Sequence, residues 1–384
     1  MIIPFNIPYT TGKEINYIKE VIDSGHVSGN GNFTKLCLKI LDQEWGLKDT
    51  LLTTSCTDAL EMAAMLLEIK PGNEVIIPAY TFVSTALAFT RQGASIVFAD
   101  SRVDNPCIDE KKLEPLINER TKAIIPVHYG GLACEMDAII RLAEKYGLWV
   151  VEDAAHAFGA RYKGRLLGNI GHLGCFSFHE TKIIHCGEGG MLSINDERFS
   201  KRAEIIWEKG TDRCAFQRGE VEKYEWIDTG SSFLMSDINA AFLYSQLLET
   251  HNMFHQRKIQ WELYSDSLKE IENKGFIKLA VLPENSEFNY SGFFIITRDS
   301  GERGTLINKL KKSGIQALTH YLDLGESPYI KKHQRQNRNY HLNPNSKKYQ
   351  DTILRLPLYY DLSLSQINEI TEVIKDFYLK ISDE

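Results

Sequence analysis

The sequence predicts an α/β protein with a large, mostly parallel sheet domain and a smaller C-terminal α+β domain. Short apolar runs alternate with amphipathic segments through the first 250 residues, which is typical of a parallel sheet covered by helices on both faces. Beyond residue 250, a long polar helical stretch is followed by short strands and helices. A chain of 384 residues has room for two domains, and we place them at residues 1–250 and 251–384.

The individual elements follow from hydrophobic periodicity and from the Gly, Pro and Asn residues between them. In the large domain, strands are predicted at residues 51–54, 74–78, 95–100, 123–127 and 148–153, and helices at residues 58–69 and 136–146. In the small domain, helices are predicted at residues 252–272, 304–313 and 365–379, and short strands within residues 289–297. The stretch at residues 331–348 is rich in Lys, Gln and Asn, and it is predicted to be a surface loop.

Composition excludes several classes of protein. The formal net charge is −7, which is opposite to the basic character of nucleic-acid-binding proteins. The seven cysteines include no C-x-x-C pair, so neither a disulfide framework nor a metal site is expected. No signal peptide and no apolar run long enough to span a membrane are evident, and we therefore expect a cytoplasmic protein.

A first candidate site is the segment TTSCTD at residues 53–58, between a predicted strand and a predicted helix. Hydroxyl groups and free backbone N–H groups at a helix N-terminus bind phosphate, and the helix dipole adds to the attraction. The same residues could simply cap the helix, with Ser55 or Thr57 as the N-cap. Cys56 at this position could also be a reactive thiolate, although no histidine partner is evident from the sequence.

Two further candidates are Asp153 and Lys182. Asp153 ends a buried strand, at the edge of the sheet where ligands bind in open α/β folds. A carboxylate there could keep the ring nitrogen of an aromatic cofactor protonated, or it could cap the next helix. Lys182 lies between an aromatic strand and the turn GEGG at residues 187–190. Burial would lower the pKa of this amine and make it a Schiff-base nucleophile, whereas most lysines are solvated surface charges.

The combination resembles the DegT/StrS family of nucleotide-sugar aminotransferases over essentially the whole chain. The resemblance is densest in PAYTFVST at residues 78–85, VHYGG at 127–131, EDAAH at 152–156, FSFHETK at 176–182, GEGG at 187–190, MSDINAA at 235–241 and LRLPLY at 354–359. It implies fold type I, pyridoxal 5'-phosphate as the cofactor, and a homodimer with shared active sites.

The resemblance also implies roles for single residues. Lys182 would carry the cofactor as a Schiff base and then serve as the general base, and Asp153 would pair with the ring nitrogen. His156 would lie near the phenolic oxygen of the cofactor. The remaining cofactor-binding residues implied are Phe82 and Ala155 on the two faces of the ring, Thr57, Asp58 and Ser177 at the phosphate, and Ser232 at the phosphate of the partner subunit.

The sequence departs from the family pattern near its substrate-facing segments. Ser232 and Leu234 stand where the family commonly has Asn and Arg, and Ile183 follows the lysine where Asn is frequent. Asp323 and Gly325 replace the Pro and the second His of the family pattern H-Y-x-P-L-H. Substrate contacts of the family therefore cannot be transferred to the segment at residues 320–325, and the missing Arg at position 234 removes the charge-assisted contact expected there. In the polar segment before Ser232, Arg213 and Arg218 are candidates for binding a substrate diphosphate.

Residues 3–8, 28–34 and 230–237 resemble most closely the enzymes that aminate C4 of dTDP-4-oxo-6-deoxy-D-glucose. Such an enzyme takes the amino group from L-glutamate. Its product is the galacto sugar used for enterobacterial common antigen and lipopolysaccharide O antigen, or the gluco epimer dTDP-viosamine. The motifs do not decide between the epimers. A 3-oxo nucleotide sugar as substrate, or a regulatory protein without activity, remains the alternative.

Overall fold

The computed structural model describes residues 2–333 and 343–381. The helices are α1 (Glu14–Ser24), α2 (Asn32–Trp45), α3 (Cys56–Leu66), α4 (Val83–Arg91), α5 (Met136–Tyr146), α6 (Ser200–Trp207), α7 (Arg213–Gln217), α8 (Asp237–Leu248), α9 (Thr250–Asn273), α10 (Ser300–Lys312), α11 (Pro328–His333), α12 (Pro344–Thr352) and α13 (Leu364–Ile381). None of them, within the described residues, has both the length and the apolar character needed to cross a membrane.

The strands are β1 (Thr50–Thr53), β2 (Glu74–Pro78), β3 (Ser95–Ala99), β4 (Thr121–Ile124), β5 (Trp149–Asp153), β6 (Arg161–Tyr162), β7 (Arg165–Leu166), β8 (Leu173–Ser177), β9 (Gly190–Ile194), β10 (Lys278–Leu279), β11 (Ser286–Glu287), β12 (Phe293–Ile296) and β13 (Ile353–Leu356). Seven of them form one sheet in the order β1-β9-β8-β5-β4-β2-β3. Only β9 runs against the other six, so the predicted α/β class and mostly parallel sheet are confirmed.

Burial on both faces explains why the strands of this sheet are mostly apolar. Every residue of β2, β5 from Val150 onward, β8 and β9 is buried. Two large clusters of buried side chains cover the two faces, one of them centred on α3, α4 and α6 and the other on α2, α5 and α8. The sheet therefore has the double-sided cover that a parallel arrangement requires.

A third cluster of buried side chains joins α9, α10 and α13 to the small antiparallel sheet β10-β12-β13. Ile3, at the other end of the sequence, belongs to the same cluster and forms a parallel bridge with Ile315. The N-terminal segment thus lies against the C-terminal part of the chain. The division into domains at residue 250 stays a prediction.

The prediction of a surface loop at residues 331–348 is wrong at the two ends that the structure describes, because both ends are helical. Helix α11 covers Pro328–His333 and helix α12 covers Pro344–Thr352, while residues 334–342 lie outside the described part of the chain. Asp100 explains the start of α12, because its carboxylate accepts hydrogen bonds from the backbone N–H groups of Asn345 and Ser346. A tertiary contact of this kind leaves no local pattern in the sequence.

Candidate active site

The candidate phosphate turn connects β1 to α3. Ser55 is the N-cap of α3, and its hydroxyl oxygen accepts a hydrogen bond from the backbone N–H of Asp58 at 3.1 Å. Ser55 caps the helix, and the hydroxyl of Thr57 takes no part in the cap but lies 2.8 Å from that of Ser84. Capping by Ser55 is therefore compatible with phosphate binding at Thr57. The hydroxyl of Thr54 bonds to the Asp58 side chain, so that carboxylate is held by its own turn.

Gly190 allows strand β9 to approach this turn closely. A Cβ atom on Gly190 would lie 2.3 Å from the carbonyl carbon of Ser55 and 2.4 Å from the backbone nitrogen of Cys56. Gly190 also pairs with Ser177 across the sheet, which brings Ser177 to the same sheet edge as the turn. The structure thus brings together Thr57, Asp58 and Ser177, which the sequence predicted as phosphate ligands.

Asp153 is a buried carboxylate with two hydrogen-bond donors. The hydroxyl of Thr85 donates to Oδ2 at 2.7 Å, and the backbone N–H of Ala155 donates to Oδ1 at 3.1 Å. Burial raises the pKa of Asp153, while these two bonds and the nearby charge of Lys182 oppose that rise. The carboxylate is thereby fixed in orientation at the end of β5, as an ion pair with a ring nitrogen would require.

Lys182 lies in the loop between β8 and β9 and is partly buried. Burial is the main cause that lowers the pKa of its amine to about 8; Arg355 acts in the same direction, and Cys56 and Asp153 oppose it. A substantial fraction of this amine is therefore neutral near physiological pH, whereas a surface lysine is almost fully protonated. This is the protonation state that a Schiff-base nucleophile needs.

His156 is a neutral imidazole. Burial lowers its pKa well below the usual value, and the charges of Lys182, His320 and Arg355 lower it further. Its Nδ1 accepts a hydrogen bond from the backbone N–H of Gly130 at 3.1 Å, so the proton is assigned to Nε2. Gly130 adopts a φ of 61°, a conformation that favours glycine. His156 therefore offers an N–H donor to a ligand.

Phe82 precedes α4 and is 56% exposed, which is unusual for a large aromatic side chain. Its ring centroid lies 6.0 Å from that of Tyr321. Ala155 is half-buried beside Asp153. An exposed aromatic face next to a charged site is a suitable stacking surface for a planar cofactor.

Ser232, a predicted cofactor ligand, makes no described contact with the other predicted ligands. It is exposed and forms an antiparallel bridge with Glu208, and among the described hydrogen bonds none connects it to Lys182 or Asp153. This placement is compatible with the prediction that Ser232 serves the partner subunit. Arg218, a candidate for diphosphate binding, instead pairs with Glu204 and Glu220 at 2.8 and 2.6 Å.

Sequence reasoning missed several residues that the fold brings to this site, namely Thr85, Tyr129, His320, Tyr321 and Arg355. The Tyr129 hydroxyl bonds to Nδ1 of His320 at 3.0 Å, and Nη1 of Arg355 lies 3.1 Å from Nε2 of the same imidazole. All five lie in or near the segments that resemble the family. Only the tertiary structure shows that they converge.

Comparison with known proteins now decides the family. Residues 8–375 match the DegT/DnrJ/EryC1/StrS aminotransferase family. The chain belongs to this family. The protein is therefore a pyridoxal-phosphate-dependent aminotransferase of fold type I, as the sequence predicted.

Individual relatives agree with this assignment. The spore coat polysaccharide biosynthesis protein SpsC of Bacillus subtilis is 32% identical over 382 residues, covering 97% of this chain and 96% of SpsC. Among solved structures, the pyridoxal phosphate form of Streptococcus pneumoniae Spr1654, named provisionally as a sugar aminotransferase, has a TM-score of 0.90 at 27% identity over 99% of this chain and 100% of that one. An aminotransferase from Psychrobacter cryohalolentis has a TM-score of 0.91 at 25% identity over 98% of both chains.

Proposed function

We propose that this aminotransferase converts dTDP-4-oxo-6-deoxy-D-glucose to a dTDP-4-amino-4,6-dideoxy sugar with L-glutamate as the amine donor. The observation that carries the catalytic part is the partly buried Lys182, with a pKa lowered to about 8, in the field of the buried carboxylate of Asp153. The sugar part is supported by the family resemblance at residues 3–8, 28–34 and 230–237. It is further supported by SpsC, whose name refers to polysaccharide biosynthesis.

The side chains present fit pyridoxal phosphate. The turn at Ser55 and the N-terminus of α3 would hold the phosphate together with Thr57, the Asp58 backbone and Ser177. Asp153 would pair with the ring nitrogen, and Nε2–H of His156 would donate to the phenolic oxygen. Phe82 and Ala155 would contact the two faces of the ring.

When bound, the cofactor supplies an electron sink that stabilises negative charge at the carbon next to the transferred nitrogen. The protein residues then have distinct tasks. Lys182 would hold the cofactor covalently, and its free amine would act as the base that moves the proton at the donor Cα. Asp153 would keep the ring nitrogen protonated, and the neutral His156 would act as a hydrogen-bond donor without adding positive charge to the site.

We further propose a homodimer in which Ser232 of the partner subunit reaches the cofactor phosphate. Trp226 is 81% exposed and Ile227 is 51% exposed, only a few residues before this position in the chain. Large apolar side chains exposed side by side are typical of surfaces that bind another protein. A single Ser donates one hydrogen bond where the family commonly has an Asn.

Incubation with L-glutamate and dTDP-4-oxo-6-deoxy-D-glucose, followed by NMR of the product, tests the proposal. We expect an amine at C4, and the proton couplings of the product identify the galacto or gluco epimer. Lys182→Ala is the control and should give no product while the fold survives. An amine at C3, or transfer only to a 3-oxo sugar, would contradict the substrate assignment while leaving the reaction class intact.

A further inference from the structure

A cavity of about 380 Å³ lies at the edge of the seven-stranded sheet that is opposite to the active site. Trp149, the first residue of β5, lines this cavity, whereas Asp153 is the last residue of the same strand. The other lining residues come from the end of α3, the start of β4 and the turn that precedes α6. Cavities of this size commonly hold small ligands. None of the lining residues that the structure describes belongs to the active site.

Trp149 forms an aromatic wall of the cavity. Its ring is fixed by edge contacts with the rings of His172 and Phe199, each at a centroid distance of 4.9 Å. The guanidinium carbon of Arg198 lies 4.8 Å from the Trp149 ring centroid. The side chain of Trp149 is nevertheless only half-buried, so part of its ring is open to the cavity. A planar group of a ligand can therefore pack against an indole that is already held in place.

Three cationic side chains line the same cavity, namely Lys70, Lys122 and Arg198. Asp196 accepts a hydrogen bond from Nε of Arg198 at 2.8 Å, so the charge of this arginine is largely compensated. Lys70 and Lys122 are exposed, and no Asp or Glu within residues 2–333 and 343–381 forms an ion pair with either of them. Two flexible ammonium groups without carboxylate partners are suited to bind the oxygens of a phosphate ester.

Glu68 is the carboxylate among the described lining residues, and it is held away from an incoming anion by its own partner. Nη1 of Arg202 lies 3.3 Å from Oε1 of Glu68. Glu68 follows the end of α3 with a φ of 53°, a left-handed conformation that residues other than glycine rarely adopt. Such conformations persist where the surrounding structure imposes them, and they are frequent at ligand-binding sites. The cavity therefore combines an uncompensated positive charge with a constrained backbone.

We propose that this cavity binds a nucleoside phosphate, at a site separate from the active site. Lys70 and Lys122 would contact the phosphate groups, and the base would pack against Trp149. An inorganic phosphate ion would leave the aromatic wall unused, and an uncharged nucleoside would leave the two lysines without an anion. A local cluster of positive charge can attract such an anion to a chain whose net charge is −7. The inference goes beyond the proposed function and does not depend on the sugar substrate.

Calorimetric titration of the cofactor-loaded enzyme with ADP tests the inference. We expect saturable binding that Lys70→Gln/Lys122→Gln weakens at least tenfold, in keeping with the loss of hydrogen bonds between charged groups. Lys311→Gln/Lys312→Gln removes the same charge from the exposed end of α10 and should bind ADP as the wild type does. Trp149→Leu should weaken ADP binding about fivefold or more and leave inorganic pyrophosphate unaffected, because pyrophosphate has no ring to stack.

Fluorine NMR of the cofactor-loaded enzyme labelled with fluorotryptophan locates the ligand without relying on Trp149→Leu. The signal of Trp149, assigned by comparison with Trp149→Phe, should shift as ADP is added, and circular dichroism verifies that each variant is folded. The inference is overturned if ADP does not bind, if the change of both lysines leaves its Kd unaltered, or if the Trp149 signal stays in place. Displacement of ADP by the nucleotide sugar would also overturn it, because the ligand would then occupy the active site. These measurements involve no turnover, so their failure leaves the proposed function intact.

Discussion

The hydroxyl group of Thr85 donates a hydrogen bond to the buried carboxylate of Asp153 across 2.7 Å. Thr85 lies in the first turn of α4, three residues after Phe82, whose exposed ring lies beside that of Tyr321. One helix N-terminus thus orients the carboxylate and presents the aromatic face. Thr81 extends the arrangement, because its hydroxyl lies 3.0 Å from that of Thr85.

Thr85→Val should weaken catalysis through Asp153 while the fold remains intact. The lost hydrogen bond lowers the pKa of Asp153, so its removal raises that pKa and shifts the acidic limb of the pH–rate profile upward. We expect kcat to fall about tenfold, in keeping with the loss of one hydrogen bond to a charged group. Thr85→Ser should restore both kcat and the pH profile. Thr90→Val, whose hydroxyl donates to the Leu87 carbonyl, is the matched control.

Asp153→Asn should reduce kcat about 10²- to 10³-fold, the scale found for other preorganised electrostatic groups. The amide keeps the shape of the side chain and can still accept a hydrogen bond from Thr85, but it carries no negative charge. Cofactor binding through Lys182 should persist, and absorbance spectroscopy measures it separately from turnover. Near-normal turnover would show that another group keeps the ring nitrogen protonated.

Capture of the cofactor by Lys182 should depend on pH with a midpoint near the lowered pKa of this amine, about 8. Only the neutral amine attacks the aldehyde, so the rate should rise as pH increases through this value and then level off. An unperturbed lysine would give a midpoint above about 10. The measurement is the rate at which cofactor absorbance changes after mixing with cofactor-free protein between pH 6 and pH 10. A rate that keeps rising to the upper limit would contradict the effect of burial on Lys182.

Glu152→Gln should destabilise the protein by about 2–4 kcal/mol, because it removes the charge from a fully buried network. Glu152 accepts hydrogen bonds from the backbone N–H groups of Gly168, Ile170 and Gly171, and it pairs with His128 at 2.9 Å. The NH2 group of a glutamine would point its N–H donors at backbone N–H groups that need an acceptor. Urea unfolding followed by fluorescence measures the loss. The exposed Glu144→Gln on α5 is the control and should change the free energy of unfolding by less than about 0.5 kcal/mol.

Gly190→Ala should weaken cofactor binding more than it weakens the fold. The added methyl group would meet the backbone of Ser55 and Cys56 at 2.3 and 2.4 Å, so the turn at the start of α3 must move. We expect the Kd for pyridoxal phosphate to rise at least tenfold, because misaligned N–H groups lose their hydrogen bonds to phosphate. Fluorescence titration of cofactor-free protein measures it. Gly304→Ala, in α10, where an added Cβ atom meets nothing within 4 Å and φ is not positive, controls for the general cost of replacing a glycine.

The sequence by itself determined the strands and helices whose signals are local. The predicted strand at residues 74–78 and the helix at residues 136–146 have the bounds found in the structure. Continuous β-branched runs and a strong 3.6-residue period leave little choice of local conformation. The roles of Lys182, Asp153 and the turn at Ser55 stay predictions. The sequence suggested them because Asp153 ends a strand and the other two follow strands, at the sheet edge where ligands bind in open α/β folds.

Only the tertiary structure decided which side chains act on these residues. Thr85 meets Asp153 from 68 positions away in the chain, and Arg355 meets His320 across 35. Asp100 caps the helix α12, whose start was predicted as a loop, from 245 and 246 positions away. Contacts of this separation depend on how elements pack. Local periodicity and spacing carry no information about them, and the lowered pKa of Lys182 depends on the same packing because burial is its main cause.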